Sequence, residues 1–435
     1  MINNQTALDP QTWPFCLELL PPEARLVGGA VRDALLGRTA EYLDLDFVLP
    51  TDAVQTARKL ANDYNAGFVL LDAQRQIARV VFDQATVDIA QQEGESLEID
   101  LGRRDFTINA IAYNPYNNQF IDPLQGVSDV QAGVISMVSA ANLEDDPLRL
   151  LRAYRQAAQL NFRIASATQS MIRQLAPLLA QVAAERVQVE LGYLLQSSQG
   201  TVWLRAAWED KLLQRWFPDA TQDSLVQVAA VEQSALVIAK TFPEIGTELQ
   251  ASVAGKSATL LSLVKLASLL PSMPEAAEEQ LLSLKYSRAE VRAVVTLLKQ
   301  LPQLESHAKQ SMTLREQYFF FLGVGCVFSA LIVLAVARGI AVEVVAPFVD
   351  CYLNPKNQIA HPTPLLTGND LMQALNLPPS PQVGKLLTEI QIARIEGRIT
   401  TTEDALKFAL QLRDEYVGFA SGSQMGAIEE VKSNK

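Results

Sequence analysis

Two aspartates interrupt an otherwise apolar stretch of the sequence, EYLDLDFVLP, residues 41–50. In a β-strand, side chains two residues apart lie on the same face, so Asp44 and Asp46 would stand side by side. Neighbouring carboxylates repel each other and resist burial unless a cation lies between them. The pair therefore predicts one of two features: the solvated face of an edge strand, or a site for a divalent metal ion.

A glycine turn precedes this pair in the segment LVGGAVRD, residues 26–33. Gly28 and Gly29 separate a predicted strand from a predicted helix that carries Arg32 and Asp33. Such turns are common, but they let backbone N–H groups approach phosphate oxygens closely. A phosphate-binding turn beside paired carboxylates is what nucleotidyl transfer requires, because carboxylates hold the metal ions that bind the attacking oxygen and the leaving pyrophosphate.

The segment LGRRDFTINA holds two adjacent arginines, Arg103 and Arg104, followed by Asp105. Guanidinium groups bind phosphate in a planar, bidentate geometry, so these residues predict a clamp for a triphosphate or a ribose. Apolar and polar residues alternate from Phe106 to Ala110. This alternation predicts that Thr107 and Asn109 share one face of a strand. A surface ion pair is the alternative interpretation.

The segment DDPLRLLRAYR has the features of a helix start, with Asp146 as N-cap and Pro147 at the first helical position. Arg149 and Arg152 then lie three residues apart on one helical face. Capping alone explains the aspartate, but cations near a helix N-terminus conflict with the helix dipole. An anionic ligand would relieve that conflict, or the Asp and Arg side chains could hydrogen-bond the edge of a nucleobase.

The composition is that of a globular protein. The chain has 435 residues, 49% of them hydrophobic and 19% charged, so about two to four domains are expected. Three scattered cysteines argue for a reducing compartment and against a zinc site or a disulfide framework. Because only two histidines are present, a metal would be held by carboxylates, which favour Mg²⁺ or Mn²⁺ over zinc.

The net charge of −12 differs from the basic patch of a typical nucleic-acid-binding protein. The first 200 residues nevertheless contain fourteen arginines and one lysine. Arginine suits bidentate phosphate recognition, so one cleft could be positive within an acidic protein.

One apolar segment, residues 318–337, is long enough for a membrane span. Its glycines, and the lack of flanking aromatic and basic residues, favour a buried helix of an α-helical domain instead. The first residues contain no basic stretch followed by an apolar one, so no export signal is recognised. The sequence predicts a cytoplasmic protein without a membrane segment.

Short β-rich runs alternate with helical stretches over residues 25–135, whereas the periodicity is helical from about residue 141 onward. The predicted fold class is therefore a small α/β head followed by an all-α body and tail.

Four segments in this order, GGAVRD, DLD, RRDFTINA and DDPLRLLRA, resemble the motifs of class II tRNA nucleotidyltransferases, the family of CCA-adding enzymes and bacterial poly(A) polymerases. AERVQVEL, residues 184–191, resembles the next helical motif, and residues 367–409 resemble the tail module. The resemblance implies a polymerase-β-like nucleotidyltransferase head. It predicts these domains: catalytic head, 20–140; helical nucleotide-selecting neck, 141–220; helical body, 221–352; tRNA-binding helical tail, 366–417; flexible C-terminus, 418–435.

The resemblance also implies roles for single residues. Asp44 and Asp46 would hold Mg²⁺ and activate the 3′-hydroxyl of tRNA, and Asp88 would be a third catalytic carboxylate. Other residues would bind the nucleotide, either as a clamp for its triphosphate and ribose or as an amino-acid template that pairs with the base of CTP or ATP. The clamp would comprise Gly28, Gly29, Arg32, Asp33, Arg104, Asp105 and Asn109. The template would comprise Asp146 and Arg149, with Arg152 in support. The helical body would grip the acceptor arm and 3′ end of tRNA by shape and phosphate contacts.

The sequence departs from the family pattern in three ways. The template begins Asp145–Asp146 instead of Glu-Asp, and no HD-type metal motif is present. Only QQEGESLEIDLG, residues 91–102, stands where the family carries an arginine, a tyrosine and a long flexible loop. In this family, loss of that loop is associated with CC-adding enzymes, which leave the terminal adenosine to a sister A-adding enzyme. CC addition from CTP is therefore predicted. The alternatives are a full CCA-adding enzyme, an A-adding enzyme or poly(A) polymerase, and, in a different class, a catalytically inactive RNA-binding module.

Overall fold

The computed structural model describes residues 7–40, 42–253 and 258–413. The chain forms two compact units: the first comprises residues 1–225 and 281–286, and the second comprises residues 226–280 and 287–435. The predicted flexible C-terminus, residues 418–435, lies outside the described residues.

Seven strands of the first unit form one mixed sheet: β1 (Arg25–Val27), β2 (Leu43–Leu49), β3 (Gly67–Asp72), β4 (Ile77–Val81), β5 (Ala85–Gln91), β6 (Ala112–Asn114) and β7 (Gln119–Ile121). Their order across the sheet is β3-β4-β5-β2-β1-β6-β7. β2 and β5 pair in parallel, and the other neighbours pair antiparallel. β2 is therefore the central strand.

β2 has the alternation that its sequence predicts. Leu45 and Phe47 are buried on one face, whereas Asp44 is exposed and Asp46 half-buried on the other. The register places Asp46 beside Asp88 of β5. Because β2 lies between two paired strands, the interpretation of the aspartates as the solvated face of an edge strand is wrong.

Helices surround the sheet and continue beyond it in the first unit: α1 (Gly29–Leu35), α2 (Ala53–Asp63), α3 (Leu97–Gly102), α4 (Gly126–Ala132), α5 (Ala140–Asp145), α6 (Leu148–Leu160), α7 (Ser166–Leu175), α8 (Ala184–Gln196) and α9 (Gly200–Glu209). α2 packs on β4 and β5, and α6 packs against α8 and α9. Tyr154 of α6 is fully buried, where its hydroxyl hydrogen-bonds Asp210. This sequence of an α/β head and then helices confirms the predicted fold class.

The predicted strand after Asp105 is wrong, because Thr107–Asn109 form a 3₁₀ helix. Thr107 Oγ1 donates a 2.6 Å hydrogen bond to Asp129, whereas Asn109 Nδ2 donates to Asp105 and to Gln156. Thr107 and Asn109 thus bind different partners. The alternation of polar and apolar residues in this segment does not predict those partners.

A second departure is a short parallel pair of strands, β8 (Val134–Ile135) and β9 (Arg163–Ile164). β9 lies in the region that the sequence predicts to be helical throughout. Two residues are too few to produce a periodic pattern, so this pairing could not be read from the sequence.

The second unit is helical. Its helices are α10 (Gln222–Thr241), which begins in the first unit, α11 (Pro243–Leu249), α12 (Leu260–Ala267), α13 (Pro274–Ser283), which ends in the first unit, α14 (Arg288–His307), α15 (Leu314–Val324), α16 (Phe328–Ala337), α17 (Val342–Leu353), α18 (Gly368–Leu375), α19 (Pro381–Ile395) and residues 402–413. α18, α19 and the last helix share one apolar cluster, which includes Leu371, Ile390 and Ala405.

Leu314–Ala337 is one candidate for a membrane span among the described residues, by length and composition. A 3₁₀ turn at Gly325–Val327 divides it, and Gly325 has a φ of +53°, which favours glycine. Of its most apolar window, 67% is buried within the structure. Buried helices of soluble proteins can match membrane helices in length and apolar composition. The segment therefore has the properties of the buried helix that the sequence predicts.

Candidate active site

An open cleft of about 510 Å³ lies in the first unit. Most of the residues predicted from the sequence line it: Gly28, Gly29, Arg32, Asp44, Asp46, Arg104, Asp105, Asn109, Asp146, Arg149 and Arg152. Asp33 and Asp88 are predicted site residues that do not.

Three further residues that the sequence analysis missed also line the cleft: Arg155, Gln156 and Arg186. Arg155 and Gln156 lie about one helical turn after Arg152 on α6, so helical periodicity could have identified them. Arg186 belongs to α8, and its position depends on how α8 packs against α6. No local pattern predicts that packing.

The carboxylates of Asp44 and Asp46 face this cleft from β2. Thr86 of β5 donates a 2.6 Å hydrogen bond from Oγ1 to Asp44 Oδ1. Burial, followed by the negative charges of Asp44 and Asp88, raises the pKa of Asp46 to about 7. Asp44 and Asp46 therefore concentrate negative charge at one point of a cleft that is otherwise lined by arginines, and a bound cation would neutralise that local charge.

The carboxylate pair fits a divalent metal ion. Carboxylate oxygens are hard donors, and Mg²⁺ is commonly held by one or two carboxylates together with substrate phosphates. In the part of the chain that the structure describes, no group of three His, Cys, Asp or Glu side chains could hold a metal ion. The protein itself thus offers a donor set of two carboxylates.

Replacing Thr86 by valine is expected to lower kcat about tenfold, because Asp44 loses the hydroxyl that orients it. The substitution preserves shape and β-propensity, so the free energy of unfolding should change by less than about 1 kcal/mol. Steady-state turnover in the nucleotidyl transfer that the sequence predicts would measure the first effect, and thermal unfolding would measure the second. Thr86→Ser is the matched control, since it keeps the hydroxyl, and a valine variant as active as wild type would contradict the role of this bond.

Gly28 brings the backbone close to the carboxylates. It has a φ of +77°, in the left-handed region that favours glycine. A Cβ at this position would lie 3.1 Å from Asp46 Oδ2 and 3.4 Å from Arg104 Nη1. The backbone conformation therefore favours glycine, and a larger residue would also press on the side chains of Asp46 and Arg104.

A chain of hydrogen bonds holds Arg32. Its Nε and Nη2 donate to the two oxygens of Asp33, each at 3.0 Å, and its Nη1 donates to Asn109 Oδ1 at 2.8 Å. Asn109 Nδ2 in turn donates to Asp105 Oδ1 at 2.9 Å and to Gln156 Oε1 at 3.0 Å. Asp33 thus orients the Arg32 guanidinium from outside the cleft.

Asp105 is the buried acceptor at the end of this chain. Arg152 donates to its Oδ2 from Nε at 3.0 Å, and Arg152 also lies 3.7 Å from Glu190. Burial acts to raise the pKa of Asp105, but Arg152 and the hydrogen bonds from Asn109 and the Phe106 N–H hold the pKa below its usual range. Asp105 therefore stays ionised and fixes the guanidinium of Arg152.

The predicted capping role of Asp146 is wrong. Pro147 occupies the N-cap position of α6, no side chain caps the helix, and Asp146 lies at the C-cap of α5. The Asp146 carboxylate instead pairs with Arg186, with 2.9 Å between Oδ2 and Nη2. Asp146 thus forms an ion pair with a residue of another helix and does not cap α6. Helix capping therefore does not account for an aspartate at this position.

The guanidinium of Arg149 is bound to main-chain carbonyls. Its Nη1 donates to the Arg103 carbonyl at 2.8 Å and to the Asn142 carbonyl at 3.1 Å. Asn142 Nδ2 donates to the carbonyls of Gly102 and Arg104, each at 2.8 Å. We call this set of four hydrogen bonds the carbonyl clamp. Arg149 and Asn142 together thus bind the carbonyls of residues 102–104, at the end of the short segment 91–102.

The short segment is itself held in place. Its last part forms α3, and Asp100 is a buried acceptor for the Glu93 N–H at 3.0 Å. Asp100 Oδ2 also lies 3.5 Å from Arg104 Nη2, while Glu93 pairs with Arg103 at 2.8 Å. Segment 91–102 is therefore a compact connection linked to both Arg103 and Arg104.

Asp88 is paired with an arginine on the neighbouring strand. Arg79 of β4 donates from Nε and Nη2 to the two oxygens of Asp88, at 2.7 and 2.8 Å. The structure thus places Asp88 beside Asp46 in the sheet, but both of its oxygens already accept hydrogen bonds.

A mixed sheet with a carboxylate pair on its central strand, next to a glycine turn and an arginine-rich cleft, defines a polymerase-β-like nucleotidyltransferase head. Residues 24–136 match the family model described as Poly A polymerase head domain. Residues 161–223 match the probable RNA and SrmB-binding site of polymerase A, and residues 261–409 match the tRNA nucleotidyltransferase domain 2.

Curated relatives cover nearly the whole chain. It is 49% identical to the CC-adding tRNA nucleotidyltransferase of Synechocystis sp. over 92% of this chain and 96% of the relative. It is 31% identical to the CC-adding tRNA nucleotidyltransferase of Geobacter sulfurreducens, over 88% of this chain and 91% of that one. Identity to the A-adding tRNA nucleotidyltransferase of Deinococcus radiodurans is also 31%, over 92% and 97%. The chain therefore belongs to the family of tRNA nucleotidyltransferases and poly(A) polymerases, and it is a nucleotide-transferring enzyme.

The fold agrees with solved structures of this family. The Thermotoga maritima CCA-adding enzyme complexed with tRNA has a TM-score of 0.66 at 22% identity, and the match covers 89% of this chain and 90% of that one. At this identity the likeness shows the fold alone.

Proposed function

We propose that this protein adds two cytidines from CTP to the 3′ end of tRNA and stops there. The observation that carries the transfer reaction is the Asp44–Asp46 pair, which faces a cleft lined by arginines. The similarity to the CC-adding relative of Synechocystis supports the choice of nucleotide.

Asp44 and Asp46 hold Mg²⁺ in this proposal. When bound, the metal supplies positive charge at the attacking 3′-oxygen and at the leaving pyrophosphate. Asp44 is held by Thr86, so its carboxylate is oriented before substrate binds. Gly28 lets the triphosphate approach the backbone closely, because no Cβ occupies the space beside Asp46.

Arg32 and Arg104 bind the triphosphate and ribose, and Arg152 supports the residues that read the base. Arg32 and Arg152 are each fixed by a carboxylate, Asp33 and Asp105, so their guanidinium groups lose little freedom when the nucleotide binds. Arg104 has a buried Nε with no hydrogen-bond partner among the described residues. A phosphate or ribose oxygen in the cleft is a suitable acceptor for this donor.

Asp146 and Arg149 read the base. A carboxylate accepts and a guanidinium donates, and together they complement the Watson–Crick edge of cytosine, which has an amino donor and carbonyl and ring-nitrogen acceptors. The carbonyl clamp and the Arg186 ion pair hold these two side chains. A template fixed in this way suits one base, which favours CC addition over full CCA addition.

Weakening the carbonyl clamp is expected to relax nucleotide choice. Asn142→Ala removes the hydrogen bonds to the carbonyls of Gly102 and Arg104, so Arg149 should gain freedom. The ratio of kcat/KM for CTP to that for ATP should fall about tenfold, equivalent to about 1.4 kcal/mol. Competition between the two nucleotides on tRNA ending in C measures that ratio.

Asn117→Ala is the matched control, because Asn117 lies in an exposed turn where its side chain bonds only Gln119 among the described residues. Its nucleotide ratio should equal that of wild type. An unchanged ratio in folded Asn142→Ala protein, as judged by circular dichroism, would contradict the role of the clamp.

The substrate partner is tRNA, bound through its acceptor arm and 3′ end. The helical body, residues 221–352, and the tail predicted over residues 366–417 make that contact. The terminal adenosine is then supplied by a sister A-adding enzyme. We place the protein in the cytoplasm, where tRNA and nucleotides are found.

The decisive experiment uses tRNA transcripts that end at the discriminator base, at C, and at CC. Purified protein with Mg²⁺ is given CTP, ATP or both, and the products are resolved at single-nucleotide length. Extension that stops at CC, with the CC transcript unreactive toward ATP, supports the proposal. Completion to CCA would instead identify a full CCA-adding enzyme, and long adenosine tracts would identify a poly(A) polymerase.

A further inference from the structure

The Arg79–Asp88 ion pair lies directly beside the carboxylates that the reaction needs. Arg79 and Asp88 are partners in the antiparallel register of β4 and β5, and Asp88 is the parallel partner of Asp46. Three carboxylates, those of Asp44, Asp46 and Asp88, therefore lie on adjacent strands. The guanidinium of Arg79 is bound to the outermost of them.

The ion pair uses both oxygens of Asp88. The donors are Nε at 2.7 Å and Nη2 at 2.8 Å, which is the bidentate geometry of a strong arginine–carboxylate pair. The Asp88 side chain is 18% exposed and that of Arg79 is 39% exposed, so Asp88 is the more enclosed partner. Asp44 and Asp46, by contrast, line the open cleft.

We infer that Arg79 is a positioning residue that keeps Asp88 out of the metal site. Asp88 then compensates the charge of Arg79, and the metal-binding set consists of Asp44 and Asp46. This inference rests on the proposed function, because it takes those two aspartates as the metal ligands. It agrees with the absence, among the described residues, of any three Asp, Glu, His or Cys side chains placed to hold a metal ion.

The inference gives Asp88 a role different from that of a third ligand. If Asp88 binds the metal, its loss weakens binding whether or not Arg79 is present. If Asp88 only neutralises Arg79, its loss leaves an unpaired cation beside the site, and removing Arg79 as well restores the balance of charge. A double-mutant cycle separates the two cases.

The test measures Mn²⁺ binding to the full chain, without nucleotide or tRNA, by electron paramagnetic resonance and by titration calorimetry. The proteins are wild type, Arg79→Gln, Asp88→Asn and the double variant. We expect Asp88→Asn to weaken binding about tenfold, Arg79→Gln to tighten it about tenfold, and the double variant to lie within about threefold of wild type.

Equal weakening in Asp88→Asn and in the double variant would overturn the inference, because it would make Asp88 a ligand. Unchanged affinity in all three variants would also overturn it. Arg79→Lys, which keeps the charge but not the bidentate contact, should bind Mn²⁺ as wild type does. Where Arg79→Gln fails to fold by circular dichroism, Arg79→Met takes its place, since it also removes the charge.

Asp44→Ala distinguishes a failure of this inference from a failure of the proposed function. Loss of Mn²⁺ binding in Asp44→Ala would support the proposed metal site, whatever the result of the double-mutant cycle of Arg79 and Asp88. Undiminished binding in Asp44→Ala would instead remove the basis of both proposals.

Discussion

Asp46→Asn is expected to lower kcat for cytidine transfer by about 10³-fold, a loss of about 4 kcal/mol of transition-state stabilisation. The substitution removes one of the two carboxylates that face the cleft, and with it a charge that would hold the proposed metal ion. Binding of tRNA should persist, because the tRNA contacts proposed for the helical domains do not involve this side chain.

The same substitution is expected to stabilise the metal-free protein. Burial and the charges of Asp44 and Asp88 raise the pKa of Asp46 from 3.8 to about 7. Between those values the folded protein binds a proton that the unfolded chain has released, so this group costs stability progressively as pH rises through that window. At pH 8 in EDTA, Asp46→Asn should therefore raise the free energy of unfolding by on the order of 2 kcal/mol.

The two effects together exclude misfolding as the cause of inactivity. Single-turnover incorporation of CTP gives the rate, and urea unfolding at pH 5 and pH 8 gives the stability. The stability gain of the variant should be larger at pH 8, where the wild-type carboxylate is ionised. Asp83→Asn is the control, because Asp83 is an exposed aspartate of the same unit. An Asp46→Asn protein that is less stable than wild type at both pH values would contradict this account.

Asp105→Asn is expected to be the most destabilising of these substitutions. The buried Asp105 carboxylate accepts hydrogen bonds from Arg152, Asn109 and the Phe106 N–H. Removing its charge takes the main partner from Arg152, whose side chain is 35% exposed and keeps Glu190 at 3.7 Å. The expected cost is therefore about 2 kcal/mol, below that of a fully buried unpaired charge. The KM for CTP should also rise, because Arg152 and, through Asn109, Arg32 lose their fixed orientation.

The pH dependence of this contribution has the opposite sign to that of Asp46. The pKa of Asp105 lies below its ordinary value of 3.8, so the stabilisation is complete above that value and is lost as pH falls through the lower, folded-state pKa. The difference in unfolding free energy between wild type and Asp105→Asn should therefore shrink below about pH 4.

Denaturant unfolding between pH 3 and pH 7 measures this difference, and Asp33→Asn is the matched comparison. Asp33 also binds an arginine of the site, but its side chain is 39% exposed, so its loss should cost less than about 1 kcal/mol. Equal costs for the two substitutions would show that burial of Asp105 does not set its contribution.

Strong local patterns made the core of the site predictable. The alternation of LDLDFVL placed both aspartates on one face of a strand, and glycines and arginines of unusual spacing marked the rest of the cleft. Errors arose where a distant partner decides the local structure. Asp146 has the sequence of a helix cap but pairs with Arg186, forty residues later, and Asn109 turns toward Asp105 and Gln156 instead of along a strand.

The roles of Arg79 and Asn142 could not be predicted for a related reason. Arg79 has an ordinary strand sequence around it, and its contact with Asp88 depends on the register of two strands. Asn142 matters because three carbonyls from another segment meet near its amide and the Arg149 guanidinium. The register of two strands, and the distance between a side chain and the main chain of another segment, are set by the assembled fold. No short stretch of sequence therefore predicts them.

The carbonyl clamp has a consequence for how this site can change over time. Every residue type carries the same main-chain carbonyl, so substitutions at residues 102–104 that preserve the backbone leave the acceptors for Asn142 and Arg149 intact. The position of Arg149, which we propose reads the base, therefore does not depend on the side chains of that segment. Evolution could move this arginine through a change at Asn142 or at Arg149 itself, or through an insertion that moves the backbone of residues 102–104.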